Sequence, residues 1–441
     1  MSPALINYHV HPGGTLRGRL RVPGDKSISH RALMLGAIAG GDTRISGFLQ
    51  GEDTCATMAA LRAMGVAIEQ HSRNVLVHGT GLHGLAQPVS ALDLGNSGTS
   101  ARLLAGLLAG QPFDCELTGD ASLMRRPMRR VIEPLRQMHA DIHCTDEGTL
   151  PIRIHGGKRL QAIDYTLPVA SAQLKSCLLM AGLYAEGTTC LHEPSPTRDH
   201  TERMLLHFGG GLTRNGNTVC ITGGSELRAA AITVPADISS AAFFMAGACM
   251  SSGSDITLEG VGVNPTRTGI IRILRAMGAD ITLQNEWTVS GEPVADIRVR
   301  AAQLHGIDIP AELVPLAIDE FPAIMVAAAT ASGRTVLRGA QELRVKESDR
   351  ILAITEGLKA VGIQCHAHED GMEVSGGRMS GGTVNSFTDH RIAMAFAMAG
   401  LTATRPITIQ DCANVNTSFP GFVELARQAG LHIEGQDSGG A

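Results

Sequence analysis

The chain contains long stretches of small apolar residues that lack a wide polar face. Residues 241–250, 323–331 and 392–400 are the clearest examples, and each is rich in alanine. A helix that is apolar on all sides is buried inside a protein. We therefore expect helices packed in the interior of each domain, with sheets outside them.

A short pattern recurs six times: the end of an amphipathic helix, then a glycine, then a strand-like alternation of apolar and polar residues. Glycine at this point relieves the left-handed helix cap, and the alternation predicts a strand. The copies follow at intervals of about 70 residues, which suffices for two helices and several strands. The glycine position, which a histidine fills once, falls at Gly65, His139, Gly209, Gly278, Gly362 and Gly430.

Chain length and repeat number together predict the domain organisation. At 441 residues the chain exceeds a comfortable single core, so two domains are expected. Six units divide naturally into three per domain. The boundary should fall near the third copy and the extended segment 232–236.

Composition excludes several classes of function. Hydrophobic residues make up 44% and charged residues 18% of the chain, which is typical of a folded protein. Aromatic residues make up only 3%, too few for the stacking surfaces of single-stranded nucleic-acid binders. The net charge of -5 also disfavours bulk binding to nucleic acid or to an anionic membrane. Any basic site must therefore be local.

The nine cysteines are scattered and form no C-x-x-C pair. This predicts a reducing compartment, no disulfide framework and no zinc ribbon. Residues 1–15 lack the pattern of a signal peptide, and the apolar run 392–403 is too short to span a membrane. We therefore expect a cytoplasmic protein.

The segment Gly24–Arg31 places a lysine, two serines, a histidine and an arginine at the start of a buried-looking helix. The unpaired N–H groups and partial positive charge at that end suit a phosphate or carboxylate. The Walker A pattern does not fit, because Asp25 separates Gly24 from Lys26. The segment is interpreted either as an anion site or as an ordinary capped helix with an exposed basic turn.

Similar polar clusters precede other apolar helices. Each alone is more typical of a surface cap, but together they repeatedly place cationic residues where helix N-termini could hold several anionic groups. Asp319 and Glu347 would supply acid and base capacity near such anions. The sequence thus predicts a small ligand with several phosphates or carboxylates, bound between two domains. The clusters are residues 94–100, 125–127 (with Pro127 at the first helical position), 171–173, 197–202, 317–322, 344–350 and 388–391.

No metal site is predicted. His139 and His143 fall where the repeat leads from helix to strand, and His366 and His368 lack a third nearby ligand. H-E-x-x-H, G-x-S-x-G and dinucleotide-binding patterns do not occur in a suitable context.

These motifs resemble those of the 5-enolpyruvylshikimate-3-phosphate synthase (3-phosphoshikimate 1-carboxyvinyltransferase) family of enolpyruvyl transferases, in the same order and over nearly the whole chain. The matching segments are 24–31, 95–99, 126–127, 171–173, 344–350 and 389–391. The resemblance implies a two-domain inside-out α/β barrel of six βαβαββ-type units. Residues 1–22 and 236–441 would form one discontinuous domain and residues 23–235 an inserted domain, with the active site in the cleft between them.

The implied reaction transfers the carboxyvinyl group of phosphoenolpyruvate to the 5-hydroxyl of shikimate 3-phosphate and releases phosphate, on the route to chorismate and the aromatic amino acids. The family uses no metal and no organic cofactor. A monomer that closes its domains on ligand is expected. One alternative is the related transferase acting on UDP-N-acetylglucosamine, which has a lysine–asparagine pair where Lys26 and Ser27 stand. A second alternative is a non-catalytic anion-binding relative.

The resemblance also implies roles for individual residues. Three residues would be catalytic, namely Asp319, Glu347 and Lys26. Asp319 would take the proton of the 5-hydroxyl, and Glu347 would deliver a proton to the vinyl methylene and later remove one. Lys26 would protonate the departing phosphate. Shikimate 3-phosphate would contact Lys26, Ser27, Arg31, Ser171, Ala172, Gln173, Arg198, Asp319 and Lys346. Phosphoenolpyruvate would contact Lys26, Asn96, Gly98, Thr99, Arg126, Gln173, Lys346, Arg350, His390 and Arg391.

Four positions depart from the best-known branch of the family and resemble the branch that includes glyphosate-tolerant enzymes. They are Leu103, Ala172, Glu342 and Thr417. The family contacts that Glu342 and Thr417 replace are therefore not carried over. Gly98 is the small residue of sensitive members, so glyphosate is expected to compete with phosphoenolpyruvate.

Overall fold

A computed structural model describes residues 6–437, so the ends of the expected domain ranges, residues 1–5 and 438–441, lie outside the described residues. The chain divides into two compact units. Unit 1 contains the residues up to Pro23, Pro235–Trp287 and the residues from Pro293 onward. Unit 2 contains Gly24–Val234 and the short segment Thr288–Glu292.

Helices form the interior of both units. In unit 2, α1, α3 and α5 are buried along almost their whole length, and in unit 1 the same holds for α7, α9 and α11. The described helices are α1 Lys26–Ile38, α2 Glu52–Ala63, α3 Gly98–Leu108, α4 Arg129–Gln137, α5 Ala172–Gly182, α6 His200–His207, α7 Ile238–Met250, α8 Gly269–Ala276, α9 Phe321–Ala328, α10 Arg350–Ala360, α11 His390–Ala399 and α12 Phe422–Ala429.

The strands pair into sheets of four or three strands, three sheets in each unit. They are β1 Ile6–Gly14, β2 Arg17–Leu20, β3 Gly40–Ser46, β4 Ala67–His71, β5 Asn74–Thr80, β6 Leu92–Asp93, β7 Cys115–Thr118, β8 Asp141–His143, β9 Ile152–His155, β10 Asp164–Thr166, β11 Thr188–His192, β12 Leu212–Asn215, β13 Thr218–Thr222, β14 Ala231–Thr233, β15 Asp255–Gly262, β16 Asp280–Val289, β17 Glu292–Arg300, β18 Arg334–Leu337, β19 Cys365–His368, β20 Gly371–Ser375, β21 Gly382–Asn385, β22 Ile407–Gln410 and β23 Leu431–Asp437.

Four of the sheets share one topology, whereas the sheet β18-β20-β19 is antiparallel throughout. In the strand order β6-β7-β9-β8, the first pair is parallel and the others are antiparallel, and the order β10-β11-β13-β12 repeats this arrangement. Two strands that precede the points where the chain passes between units pair with distant strands of their own unit: β2 pairs with β15 in unit 1, and β14 pairs with β3 in unit 2. The N-terminal strand β1 lies between β22 and β23 and completes the last repeat.

The six repeat positions all adopt the left-handed conformation that the pattern requires. The five glycines have φ between 80° and 114°, and His139 has φ 68°. Each is followed within a few residues by a strand, the last being β23. The six-unit α/β fold with buried helices is confirmed. Within residues 6–437 each sheet has a linear strand order, and none closes on itself as a barrel.

Two local expectations are corrected. Cys190 and Cys220 lie opposite each other on β11 and β13 and form a disulfide, whereas no disulfide framework was expected from the scattered cysteines. Pro127 does not open a helix, because α4 begins at Arg129. As for membrane crossing, no helix in the described part of the chain is both long and apolar enough.

Candidate active site

The opening anion motif forms the first turn of α1. The Asp25 side chain caps this helix by accepting a hydrogen bond from the Ile28 N–H at 2.8 Å. The ammonium group of Lys26 lies 2.9 Å from Oδ2 of Asp53, in the first turn of α2, and the two side chains are only 17% and 10% exposed. The Lys26 ammonium group could therefore leave the Asp53 carboxylate and pair with an incoming anion.

Arg31 is buried and holds three helices together. Its Nε donates to the Thr201 hydroxyl on α6 at 2.6 Å, and its Nη2 donates to the Ser176 hydroxyl on α5 at 2.8 Å. Nη1 donates to the backbone carbonyl of Ser27 at 2.9 Å. Arg31 thereby fixes the position of Ser27, one of its expected partners in the site.

A buried polar chain links the starts of α1, α2 and α3. Nδ1 of His30 lies 2.8 Å from the Thr57 hydroxyl, which lies 2.6 Å from the Ser100 hydroxyl. Ser97 caps α3 and accepts from Ser100. Burial, together with the positive charges of Lys26 and Arg31, holds the pKa of His30 well below its ordinary value. His30 is therefore a neutral packing residue at pH 7.

Gly98 begins α3 against two guanidinium groups. A Cβ atom at this position would lie 2.7 Å from Nη1 of Arg126 and 2.9 Å from Nη1 of Arg102. Arg102 donates to the side-chain oxygen of Gln173 at 2.7 Å, and Gln173 donates to the Thr99 hydroxyl at 3.1 Å. The structure thus brings four expected site residues together around Arg102, namely Gly98, Thr99, Arg126 and Gln173.

The remaining expected residues of unit 2 lie at helix starts and in loops. Ser171 caps α5 by accepting from Leu174, and Ala172 is the first residue of that helix. Asn96 donates to Asp120 at 2.8 Å, which braces the loop before α3. Arg198 is half-buried in the segment that joins β11 to α6.

In unit 1, Arg350 joins the two expected catalytic carboxylates. Its Nη2 donates to Oε2 of Glu347 at 2.6 Å, and its Nη1 donates to Oδ1 of Asp319 at 3.3 Å. The ammonium group of Lys346 lies 3.4 Å from the same Asp319 oxygen. Arg350 itself is fully buried. Two carboxylates and two cations therefore share one small volume.

Asp389 anchors Arg350 from the opposite side. Its carboxylate accepts from Nε at 2.8 Å and from Nη2 at 3.2 Å, and also from the Ser348 hydroxyl at 3.0 Å. Burial opposes ionisation of Asp389, but the charge of Arg350 outweighs it and lowers the pKa of Asp389. Burial likewise opposes the charge of Arg350, yet the surrounding carboxylates raise the pKa of Arg350 above its ordinary value. Both groups are charged at neutral pH.

The start of α11 carries Arg391 to the same volume. Nη1 of Arg391 donates to the backbone carbonyl of Asp319 at 2.9 Å and lies 3.8 Å from Oε1 of Glu320. Glu320 is buried, accepts from the Ser239 hydroxyl and lies 3.9 Å from Arg267. The neighbouring His390 is buried at the first position of α11.

Two positions that depart from the family pattern make local contacts. Oε1 of Glu342 lies 3.9 Å from the ammonium group of Lys346. The Thr417 hydroxyl donates to the backbone carbonyl of Asn414 at 2.7 Å. Within residues 6–437, no group of three or more His, Cys, Asp or Glu side chains could hold a metal ion.

Comparison with known proteins identifies the family to which the chain belongs. The family model described as EPSP synthase (3-phosphoshikimate 1-carboxyvinyltransferase) matches residues 10–425. The chain belongs to this family. A 3-phosphoshikimate 1-carboxyvinyltransferase of Alkalilimnicola ehrlichii is 63% identical over 437 residues, covering 99% of this chain and 98% of that protein. One of Methylococcus capsulatus is 64% identical, covering 97% and 98%.

Solved structures of the EPSP synthase family agree with this assignment. An EPSP synthase of Acinetobacter baumannii matches with a TM-score of 0.88 and 54% identity, over 98% of this chain and 100% of that one. The chain therefore shares the fold of that EPSP synthase over 98% of its length.

Sequence reasoning about this EPSP synthase family member missed several residues that shape the two sites. Asp53 and Arg102 lie far along the chain from the residues that they contact, and nothing in their local sequence marks them. Asp389 was visible in a motif but had no assigned role. Its place directly before a buried, apolar helix was the available signal, because an aspartate there is a natural N-cap.

Proposed function

We propose that this protein transfers the carboxyvinyl group of phosphoenolpyruvate to the 5-hydroxyl of shikimate 3-phosphate. One observation carries the proposal at the level of chemistry: Arg350 contacts both Asp319 and Glu347, with Lys346 beside them. Acid–base chemistry on anionic substrates needs carboxylates and cations at close quarters, because each controls the protonation of the other.

Substrate binding must overcome repulsion between two anions. Lys26 and Arg126 in unit 2, and Lys346, Arg350 and Arg391 in unit 1, supply the positive charge for phosphoenolpyruvate. Preorganised guanidinium groups hold phosphate and carboxylate through paired hydrogen bonds. The hydroxyl and amide groups at the starts of α1 and α5 orient shikimate 3-phosphate. These are the side chains of Ser27, Ser171 and Gln173.

The addition step forms a carbon–oxygen bond. Asp319 accepts the proton of the 5-hydroxyl group, and the hydroxyl oxygen attacks C2 of phosphoenolpyruvate. The Glu347 carboxyl group delivers a proton to C3. The product is a tetrahedral intermediate bearing a methyl group, a carboxylate and a phosphate at C2.

The elimination step restores the double bond. The Glu347 carboxylate removes a proton from the methyl group, and the bond between C2 and the phosphate oxygen breaks. The Lys26 ammonium protonates the leaving phosphate. Each turnover thus leaves one proton on Asp319 and removes one from Lys26, and proton exchange with water returns both groups to their starting states. Glu347 donates one proton and takes one back, so it returns to its starting state within the reaction.

In this proposal both units contribute to the reaction, and the two domains are residues 23–235 and the remainder of the chain. The substrates bind in the cleft between the domains, and the domains close when ligand binds. We also propose a monomer that acts in the cytoplasm without nucleic-acid or membrane partners. The net charge of -5 supports the absence of nucleic-acid partners, because a nucleic-acid surface repels a negatively charged protein.

A phosphate-release assay tests the proposed function. Purified protein is mixed with phosphoenolpyruvate and shikimate 3-phosphate, and we expect phosphate to appear as phosphoenolpyruvate disappears. Release with UDP-N-acetylglucosamine in place of shikimate 3-phosphate would support the related transferase instead. Folded protein that binds shikimate 3-phosphate without any release would be a non-catalytic relative.

A further inference from the structure

A fully buried lysine lies close behind the expected shikimate 3-phosphate residues. The ammonium group of Lys175, in the first turns of α5, lies 2.9 Å from Oε1 of Glu193 and 2.6 Å from Oε1 of Glu202. The three side chains are 0%, 0% and 4% exposed. Arg214 lies 3.5 Å from each carboxylate at the outer side. We call Lys175, Glu193 and Glu202 the buried clamp.

The buried clamp holds both ends of the segment that carries Arg198. Glu193 directly follows β11, and Glu202 lies in the first turn of α6. Within the segment, the Thr197 N–H donates to Oε1 of Glu193 at 3.2 Å, and the Thr197 hydroxyl donates to the same oxygen. Because Thr197 immediately precedes Arg198, the Glu193 carboxylate fixes the backbone from which the arginine side chain projects.

The same helix carries other expected contacts to shikimate 3-phosphate. α5 begins beside Ser171, and its residue Ser176, next to Lys175, bonds to both Arg31 and Thr201. The clamp therefore ties the Arg198 segment to the helix that presents Ser171 and to the buried Arg31. These groups form one connected polar block within unit 2.

Stability alone does not account for such a cluster. Removing ions from water costs several kcal/mol per ion, and apolar replacements of buried ion pairs are often neutral or stabilising. A charged network does supply direction, because each carboxylate holds its partners at defined distances and angles. What the clamp offers beyond packing is a fixed geometry for the Arg198 segment.

We propose that Lys175 and Glu193 are positioning residues that fix Arg198 for binding shikimate 3-phosphate. This inference rests on the proposed function and assigns residues that act behind its binding surface. Neither side chain touches the substrate in this arrangement. Loss of Glu193 frees Thr197 and lets the Arg198 backbone shift, which weakens substrate binding without changing the acid–base groups.

A double-mutant cycle on shikimate 3-phosphate affinity tests the proposal. We expect Glu193→Gln to raise the dissociation constant about tenfold in the wild-type background and less than about twofold in the Arg198→Ala background, because coupled residues are not additive. The value of kcat at saturating substrates should change less than about twofold. The same factor in both backgrounds would overturn the proposal, since Glu193 would then act independently of Arg198.

Matched variants separate positioning from folding. Glu116→Gln makes the same change on a half-exposed ion pair of unit 2 and should leave affinity unchanged. If Glu193→Gln does not fold, Thr197→Val removes only the hydroxyl contact and should show the same coupling to Arg198. Lys175→Arg retains the charge and should retain most of the affinity, whereas Lys175→Met should not.

Measurements on the wild-type protein distinguish failure of the proposed function from failure of the positioning role. Wild-type protein that neither binds shikimate 3-phosphate nor releases phosphate with it would refute the proposed function. Wild-type protein that does both, combined with additive effects of Glu193→Gln and Arg198→Ala, would refute the positioning role alone.

Discussion

The Nε atom of Arg350 lies 2.8 Å from Oδ2 of Asp389, and the two side chains are only 1% and 0% exposed. The same carboxylate caps α11 by accepting from the Arg391 N–H at 2.9 Å. One aspartate therefore fixes two of the arginines proposed to bind phosphoenolpyruvate. The contact joins residues 39 positions apart, at the starts of α10 and α11.

Asp389→Asn removes the charge of this anchor while keeping an oxygen that can cap α11. We expect the free energy of unfolding to fall by about 3 to 5 kcal/mol, because breaking a buried ion pair leaves an uncompensated charge. The KM for phosphoenolpyruvate should rise at least about tenfold, since Arg350 loses its fixed position. Denaturant unfolding and steady-state kinetics measure the two effects.

Asp349→Asn is the matched control, because Asp349 caps α10 in the same way but is 31% exposed and pairs with the partly exposed Arg344. The control should lose much less stability than Asp389→Asn. Equal losses in the two variants would show that capping, and not the buried pair with Arg350, is what Asp389 contributes.

The pH dependence of stability provides a second prediction about Asp389. Its pKa is lower in the folded protein than in the unfolded chain, because Arg350 outweighs the cost of burial. The carboxylate therefore stabilises the fold at pH values above the unfolded pKa of about 3.9, and this contribution is lost as the pH falls through the lower folded value. The stability gap between wild type and Asp389→Asn should be constant from pH 7 to about 5 and shrink below about pH 4. A gap that widens in acid, measured by denaturant unfolding, would contradict the direction of the shift.

Local sequence was sufficient to predict the repeat. A helix end followed by glycine and an alternating strand depends on neighbouring residues only, and all six positions have positive φ. Even His139 adopts this conformation, at φ 68°. The buried helices were equally predictable, because α7, α9 and α11 show no wide polar face. The fold class follows from these local rules.

Long-range partners could not be predicted in the same way. Lys26 and Asp53 are 27 positions apart, Arg102 and Gln173 are 71 apart, and each pair meets only because separate helices begin side by side. The pairings of β2 with β15 and of β14 with β3 also join strands that are far apart in the sequence. The substrate roles of the motif residues remain predictions, since they rest on family resemblance.

Gly98→Ala should impair binding of phosphoenolpyruvate more than folding. The added methyl group would lie 2.7 Å from the Arg126 guanidinium and 2.9 Å from that of Arg102, so both flexible ends must shift. We expect the KM for phosphoenolpyruvate to rise by about threefold to thirtyfold, with little change in thermal stability. Gly377→Ala is the control, because its new methyl group would meet only Ile363, at 3.6 Å.

Glyphosate provides an independent readout at the same position. Competition with phosphoenolpyruvate is expected for the wild type, and Gly98→Ala should raise the inhibition constant more than it raises the KM. A wild-type inhibition constant that is unchanged as phosphoenolpyruvate is varied would argue against a shared site.

Glu347→Gln should separate chemistry from binding. The amide keeps the size of the side chain and can still accept from Arg350, but it cannot exchange a proton with the substrate carbon. We expect kcat to fall by about 10² to 10⁴ while the dissociation constant of shikimate 3-phosphate changes little. Glu356→Gln, at an exposed position of α10, should behave like wild type. Near-normal turnover by Glu347→Gln would remove its proposed role.

Glu320→Gln tests how the charge on Arg391 is balanced. Oε1 of Glu320 lies 3.8 Å from Arg391, whose geometry is fixed separately by a 2.9 Å hydrogen bond to the Asp319 carbonyl. The substitution therefore removes a negative charge and leaves the guanidinium in place. Without substrate, the buried positive charge is less compensated, so thermal stability should fall. With substrate, the same excess charge attracts the phosphoenolpyruvate anion.

The expected result is a KM for phosphoenolpyruvate that falls by about threefold to tenfold, although the free protein melts at a lower temperature. Added inorganic phosphate should also raise the melting temperature of Glu320→Gln more than that of wild type, since at a fixed ligand concentration the stabilisation grows with the logarithm of the affinity. Glu424→Gln, at an exposed position, should change neither quantity. A higher KM in Glu320→Gln would mean that Glu320 orients Arg391. In that case the Asp319 carbonyl alone is insufficient to hold the guanidinium, and the carboxylate belongs to the binding geometry and not only to its charge balance.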